Sequence, residues 1–240
     1  MFGDFGDIRI VNRINQFSYK SRKLSKGKKI ILCVPTTLIH YFKKKIKSKY
    51  ISLGAQNCHH QEGYGPFTGY ISASMLKNAG AEYVILGHSE NRSTGETNQL
   101  IREKIISSLN KKLKIIFCIG ETLKEKRNNK TASVIRKQIT SSLKKNFNIN
   151  KIIIAYEPVW SIGTNKIPKM NELTNTIKFI KYGFKKIFKT KKAPKVLYGG
   201  SVNEKNIRQL SSINEMDGFL IGNASRSSKK FIDIIKNYYK

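Results

Sequence analysis

The sequence predicts an α/β fold on a closed parallel sheet, a (β/α)8 barrel. Three observations carry it. Short apolar, β-branched runs alternate with longer amphipathic stretches; the runs are apolar on both faces; and polar, chemistry-bearing residues stand at their C-terminal ends. Strands apolar throughout and separated by helices are what a parallel sheet covered on both faces requires.

In chain order the strand-like runs are KKIILCVPT (28–36), YISLGAQN (50–57), YVILGH (83–88), LKIIFCIGE (113–121), KIIIAYEPVW (151–160), KVLYGGSV (195–202) and GFLIGNAS (218–225). Between them ISASMLKNAG, TNQLIREKIISSLNKK, TASVIRKQITSSLKK and NELTNTIKFIKYGFKKIF place apolar residues three and four apart, the spacing of a helix with one buried face. The polar residues decide between a barrel and a doubly wound sheet. Gln56, Asn57, His88, Glu121, Glu157, Ser201 and Asn223 close run after run. A barrel gathers such ends on one face, whereas a doubly wound sheet concentrates them near one crossover and usually begins with a Gly-rich strand-to-helix turn. No GxGxxG follows the early strands.

The 240 residues are long enough for a sizeable core, and no Pro/Ser-rich or Gly/Ser-rich tract and no internal repeat divides them, so residues 1–240 read as one domain. No segment approaches the roughly 18 apolar residues of a membrane span, and the N-terminus MFGDFGDIRI lacks the basic and apolar regions of a signal peptide, so a cytoplasmic protein without a membrane partner is expected. Cys33, Cys58 and Cys118 lie in or beside apolar runs without CxxC spacing, and His59 and His60 have no second ligand cluster, so reduced thiols and no metal site are expected. The net charge of +31 invites a nucleic-acid reading. Yet the lysines are spread over nearly every segment, as on the solvated faces of amphipathic helices, and no zinc-finger, KH or RNP pattern accompanies them. A Lys-, Ile- and Asn-rich composition accounts for the charge without a specific nucleic-acid partner.

Glu157 in AYEPVWSIGT is a lone carboxylate leaving an apolar strand. An acid there is costly unless hydrogen-bonded or protonatable, which fits either a catalytic base or a solvated strand tip. Together with YVILGHSENR, GAQNCHHQEGYGPFTGYIS, LYGGSVNEKN and DGFLIGNAS, this segment resembles the triosephosphate isomerase family, in family order from about residue 28 to the end. The resemblance implies a cofactor-independent homodimeric isomerase that interconverts dihydroxyacetone phosphate and D-glyceraldehyde 3-phosphate in glycolysis and gluconeogenesis. Glu157 would be the base and His88 the electrophile that shuttles protons. SENRST after His88 would open a short helix whose N–H groups favour a neutral imidazole. Gly163, Ser201, Gly222 and Asn223 would hold the phosphate, and PVWSIGTNK would be a lid, with Trp160 as its packing handle, that shields the enediol from water.

Four positions depart from the family pattern. Asn165 stands where the lid commonly ends in glycine, Asn223 replaces one glycine of a pair, and Tyr70 and Asn91 stand in place of an acid and an arginine, which implies one lost ion pair between subunits. The segment MFGDFGDIRIVNRINQF resembles the loop and helix that follow the family's first strand, so the resemblance leaves strand 1 missing, along with the asparagine and lysine of an NWKM-like segment. The expectations that follow are a native start about a dozen residues upstream and a 240-residue form that is poorly folded or nearly inactive. The alternative function is an impaired barrel that only binds phosphorylated metabolites.

Overall fold

The computed structural model describes residues 3–21 and 29–238. Its sheet has seven parallel strands in the order β1 to β7: Ile30–Val34, Ile51–Ala55, Tyr83–Leu86, Lys114–Ile119, Ile152–Tyr156, Lys195–Tyr198 and Gly218–Phe219. All seven fall within the runs read as strands. Each pairs in register with the next, as in Cys118 beside Ala155 and Tyr156 beside Tyr198, so all C-terminal ends share one rim. β1 and β7 form the edges, and the fold is a (β/α)8 barrel with one strand fewer than eight among the described residues. The N-terminal segment forms a 3-10 turn, Phe5–Asp7, and then helix α1, Ile8–Lys20, as the resemblance implies; Met1 and Phe2 lie outside the described residues.

The helices cover the sheet. They are α2 (Thr36–Lys45), α3 (Ala73–Ala79), α4 (Ser89–Ser93), α5 (Asn98–Asn110), α6 (Leu123–Arg127), α7 (Thr131–Ser142), α8 (Met170–Phe188), α9 (Ile207–Ser211) and α10 (Ser228–Tyr238). Ser72, Thr97 and Thr122 cap α3, α5 and α6 through their side-chain oxygens, which is why those helices start where they do. The largest apolar cluster joins the outward side chains of the strands, such as Val84, Ile115, Phe117 and Ile154, to Ile101, Ile135, Ile177 and Phe184 of the helices. A second layer inside the sheet contains Tyr83, Ile85, Ile116, Cys118 and Ala155. Alternate residues of one strand therefore serve two cores, which explains why the runs are apolar on both faces. No described helix is long and apolar enough to cross a membrane.

Candidate active site

His88 stands just beyond β3 as the N-cap of α4, and its Nδ1 accepts the Glu90 N–H at 3.3 Å. With Nδ1 used as an acceptor, the ring proton of the neutral imidazole lies on Nε2, and Nε2 faces Glu157 Oε1 at 3.3 Å. Burial, the strongest single influence, works to lower the pKa of His88. The hydrogen bond and charge of Glu157, with the charges of Glu90 and Glu96, outweigh it, and the net direction is upward. The Glu90 N–H occupies Nδ1 and so opposes protonation there, while the carboxylate across the site favours the charged ring.

Arg92 holds the His88 turn. Its Nε donates to Gly87 O at 2.7 Å, Nη1 to Asn98 Oδ1 at 2.7 Å and Nη2 to Cys118 O at 3.2 Å, tying the end of β3 to β4. Gly87 has φ +72°, and a Cβ there would come within 2.9 Å of Arg92 Nη2. Nothing in the local sequence distinguishes this arginine from the many surface cations.

Glu157 is only 3 % exposed, although it stands at a strand end. Its N–H donates to Ile119 O at 2.8 Å. Its carbonyl lies where a Cβ on residue 120 would be 1.8 Å away, so only glycine fits there. Gln138 of α7 grips Gly120 from behind, accepting its N–H at 2.9 Å and donating to its carbonyl at 3.0 Å. Gly199 clears the side chain itself: a Cβ there would stand 2.6 Å from Glu157 Cγ. Oε2 is buried with no hydrogen-bond partner among the described residues. The carboxylate thus has one oxygen on His88 and one unengaged. Burial first, and then Glu157, pushes the neighbouring Cys118 thiol well above its ordinary value, so it stays protonated and adds no charge.

Segment 158–166, which the resemblance reads as a lid, crosses between the loops that follow β4 and β6. Trp160 Nε1 donates to Glu121 Oε1 at 2.9 Å, and Tyr156 Oη reaches the same carboxylate at 3.2 and 3.3 Å. Glu121 is raised above the usual carboxylate range, chiefly by burial. On the other side Ser161 Oγ meets Tyr198 Oη at 2.9 Å, Ser201 Oγ donates to Ser161 O at 2.6 Å, and Asn165 N donates to Ser201 Oγ at 3.0 Å. Asn165 adopts φ +60° and Gly163 φ +69°, so asparagine fills a left-handed position that it tolerates better than most residues. Gly200 is required as well, because its Cβ would fall 2.1 Å from Tyr198 Oη.

Gly163 thus lies between Ser161 and Asn165, both of which bond Ser201. Gly222 and Asn223 follow β7, whose partner is β6, and Leu220 N donates to Tyr198 O at 2.9 Å. Gly222 caps a 3-10 turn, Asn223–Arg226, and its carbonyl accepts the Ser225 hydroxyl at 2.6 Å. Asn223 is exposed on this turn. All four glycine, serine and asparagine positions therefore lie in loops on the rim that bears His88 and Glu157. No group of three or more His, Cys, Asp or Glu that could hold a metal occurs among the described residues.

A family model described as triosephosphate isomerase matches residues 7–238. The chain belongs to the triosephosphate isomerase family. It is 42 % identical over 223 residues to the triosephosphate isomerase of Dictyoglomus thermophilum, covering 90 % of this chain and 89 % of that one. It is 39 % identical over 212 residues to that of Bartonella henselae, covering 88 % of this chain and 83 % of that one. The crystal structure of triosephosphate isomerase from Bartonella henselae superposes with a TM-score of 0.89 at 35 % identity, covering 100 % of this chain and 96 % of that chain.

Tyr70, one of the positions at which this triosephosphate isomerase family member departs from the pattern, lies in a projecting loop. Residues 56–72 project from β2, with Tyr64 and Tyr70 81 % and 64 % exposed. His59 packs at their base against His60, Phe67 and Tyr70, with ring centroids 4.2, 4.7 and 4.6 Å away. Beneath the loop lies a buried ion pair that the sequence conceals. Lys104 of α5 bonds Glu96 and also donates to Asn57 Oδ1 at 3.1 Å. The amphipathic reading put lysines such as this one on the solvated face, yet Lys104 is 7 % exposed.

Proposed function

We propose that this chain interconverts dihydroxyacetone phosphate and D-glyceraldehyde 3-phosphate without a cofactor, as one domain spanning residues 1–240. Glu157 removes a proton from the carbon beside the carbonyl. His88 donates from Nε2 to the carbonyl oxygen, which gives an enediol, and then recovers a proton from the neighbouring hydroxyl, whose oxygen becomes the new carbonyl. Glu157 returns its proton to the other carbon. The observation that carries this reading is the 3.3 Å approach of His88 Nε2 to a buried carboxylate whose second oxygen is unengaged. A base and an acid so close on one rim can serve two adjacent carbons and their oxygens.

Gly163, Ser201, Gly222 and Asn223 are read as the phosphate grip, since loops after the last strands of such a barrel commonly converge their N–H groups on a dianion. The lid excludes water from an intermediate that would otherwise eliminate phosphate. Family membership supports a role in glycolysis and gluconeogenesis and a cytoplasmic setting. The exposed aromatic residues of loop 56–72 support a two-fold homodimer, for which sedimentation showing a fully active monomer is the contrary result.

A coupled assay for triose phosphate isomerisation tests the reading. Turnover that Glu157→Gln abolishes supports it. Tight binding of triose phosphate with no turnover would favour the impaired, metabolite-binding barrel.

A further inference from the structure

Trp160 is the sole tryptophan of the chain. Its ring is held from two directions. Glu121 accepts its N–H at 2.9 Å along the edge, and Lys126 Nζ stands 4.0 Å from the ring centroid. The same ammonium pairs with Glu172 Oε2 at 2.8 Å. Lys126 belongs to α6, beyond β4, and Glu172 to the first turn of α8, beyond the lid. A cation from outside the lid is therefore oriented by a second outside residue onto the lid's one large aromatic ring.

The two ends of the lid are fastened in different ways. At the Ser201 end the lid's own backbone makes the bonds, through Ser161 O and Asn165 N. At the Trp160 end the Val159 N–H donates to Glu121 O at 3.0 Å, and the Trp160 ring is held as well; the ring's partners keep other contacts if it leaves, since Lys126 retains Glu172 and Glu121 retains Tyr156. The ring can therefore undock without leaving either charged partner unpaired. The Lys126–Glu172 pair is itself half-exposed and contributes little stability. The ring contact differs, because a cation over an indole face is attracted by the ring's quadrupole, and tryptophan is the best such partner.

We propose that Lys126 is a positioning residue for the lid: held by Glu172, its ammonium clamps Trp160 in the docked position and sets how much of the time the lid is down. This rests on the lid role proposed above. Lys126 touches no reacting atom, so it acts on substrate retention and leaves the docked geometry of Glu157 and His88 unchanged.

The lone tryptophan reports on the lid directly. Acrylamide quenching of Trp160 would be measured in the unmutated chain, in Lys126→Met, which keeps the stem and loses the charge, and in Lys126→Arg. Glycerol 3-phosphate, an unreactive triose phosphate analogue, would then be added. In Lys126→Met the quenching constant should rise about threefold, and KM should rise by about two- to thirtyfold, the span of measured cation–π contacts, with kcat nearly constant. Glycerol 3-phosphate should restore protection only at higher concentration. Lys126→Arg should match the unmutated chain in both readouts. Quenching and KM unchanged in Lys126→Met would overturn the proposal, as would Arg behaving like Met. Because quenching needs no turnover, an inactive chain with a responsive Trp160 would sink the isomerase reading and leave the clamp intact.

Discussion

His88 Nε2 approaches Glu157 Oε1 to 3.3 Å, and Gly199 makes this possible by lacking the Cβ that would stand 2.6 Å from Glu157 Cγ. Residue 199 thus controls where the carboxylate lies. Gly199→Ala should push the side chain aside and lower kcat by roughly 10²-fold, the effect of misplacing a reacting group by about 1 Å. Glu157→Asp, which withdraws the carboxylate by one methylene, should lower kcat to a similar degree with a smaller rise in KM. Steady-state kinetics check both, and an unchanged kcat in Glu157→Asp removes this residue from the mechanism.

His88 is raised above the ordinary imidazole value of 6.5: burial works against this, and the hydrogen bond and charge of Glu157 prevail. In the proposed mechanism His88 acts as a neutral electrophile, so kcat/KM should fall on acidification, beginning above pH 6.5. The stability linkage has the opposite sense. A folded-state pKa above the unfolded one stabilises the fold below the unfolded value, and that contribution disappears as pH rises through the folded value. His88→Gln should therefore lower stability more at pH 6 than at pH 9, while cutting turnover by roughly 10² to 10⁴ and retaining substrate binding. Urea titrations and a pH–rate profile of both proteins test this; equal stability losses at the two pH values would contradict the pairing.

Much of this site was legible because strand ends are legible. His88, Glu157 and Ser201 follow apolar runs, and a parallel sheet must bring such ends to one rim. What holds them there was hidden for a physical reason. Gly120 and Gly199 stand unmarked inside the runs 113–121 and 195–202, and only the folded backbone shows that a Cβ would collide with Glu157. Gln138 and Arg92 act across the sheet by contacts that sequence spacing does not encode. Glu121 was recognisable as another strand-end acid, but its bond to Trp160 depends on the path of the lid. Lys104 was misleading, since helical periodicity groups it with solvated lysines and cannot reveal a buried carboxylate from another segment.

That buried pair yields a stability prediction. Lys104→Met should leave Glu96 inside the protein without its cation, and removing one partner of a buried ion pair costs about 3–5 kcal/mol. Adding Glu96→Leu should recover most of the loss, because an apolar pair of similar volume has no charge to desolvate. Urea denaturation of the single and double variants measures both, and a double variant no more stable than Lys104→Met would show that packing around Asn57 dominates instead.

The last prediction concerns the charge of +31. Lysines distributed over the surface raise the positive potential around the whole molecule and steer a dianionic substrate toward it, an effect that acts on encounter and not on chemistry. Salt screens it over a Debye length of about 8 Å at physiological ionic strength. Between low and high salt kcat/KM should therefore fall while kcat stays nearly flat, because the bound complex is already formed when kcat is measured. A nucleic-acid-binding protein behaves differently: each neutralised phosphate releases counterions, and the logarithm of affinity for duplex falls steeply with the logarithm of salt concentration. Steady-state kinetics and duplex titration over the same salt series separate the two. Tight duplex binding with a steep salt slope at physiological ionic strength, alongside a salt-independent kcat/KM, would assign the charge to nucleic acid and not to the substrate.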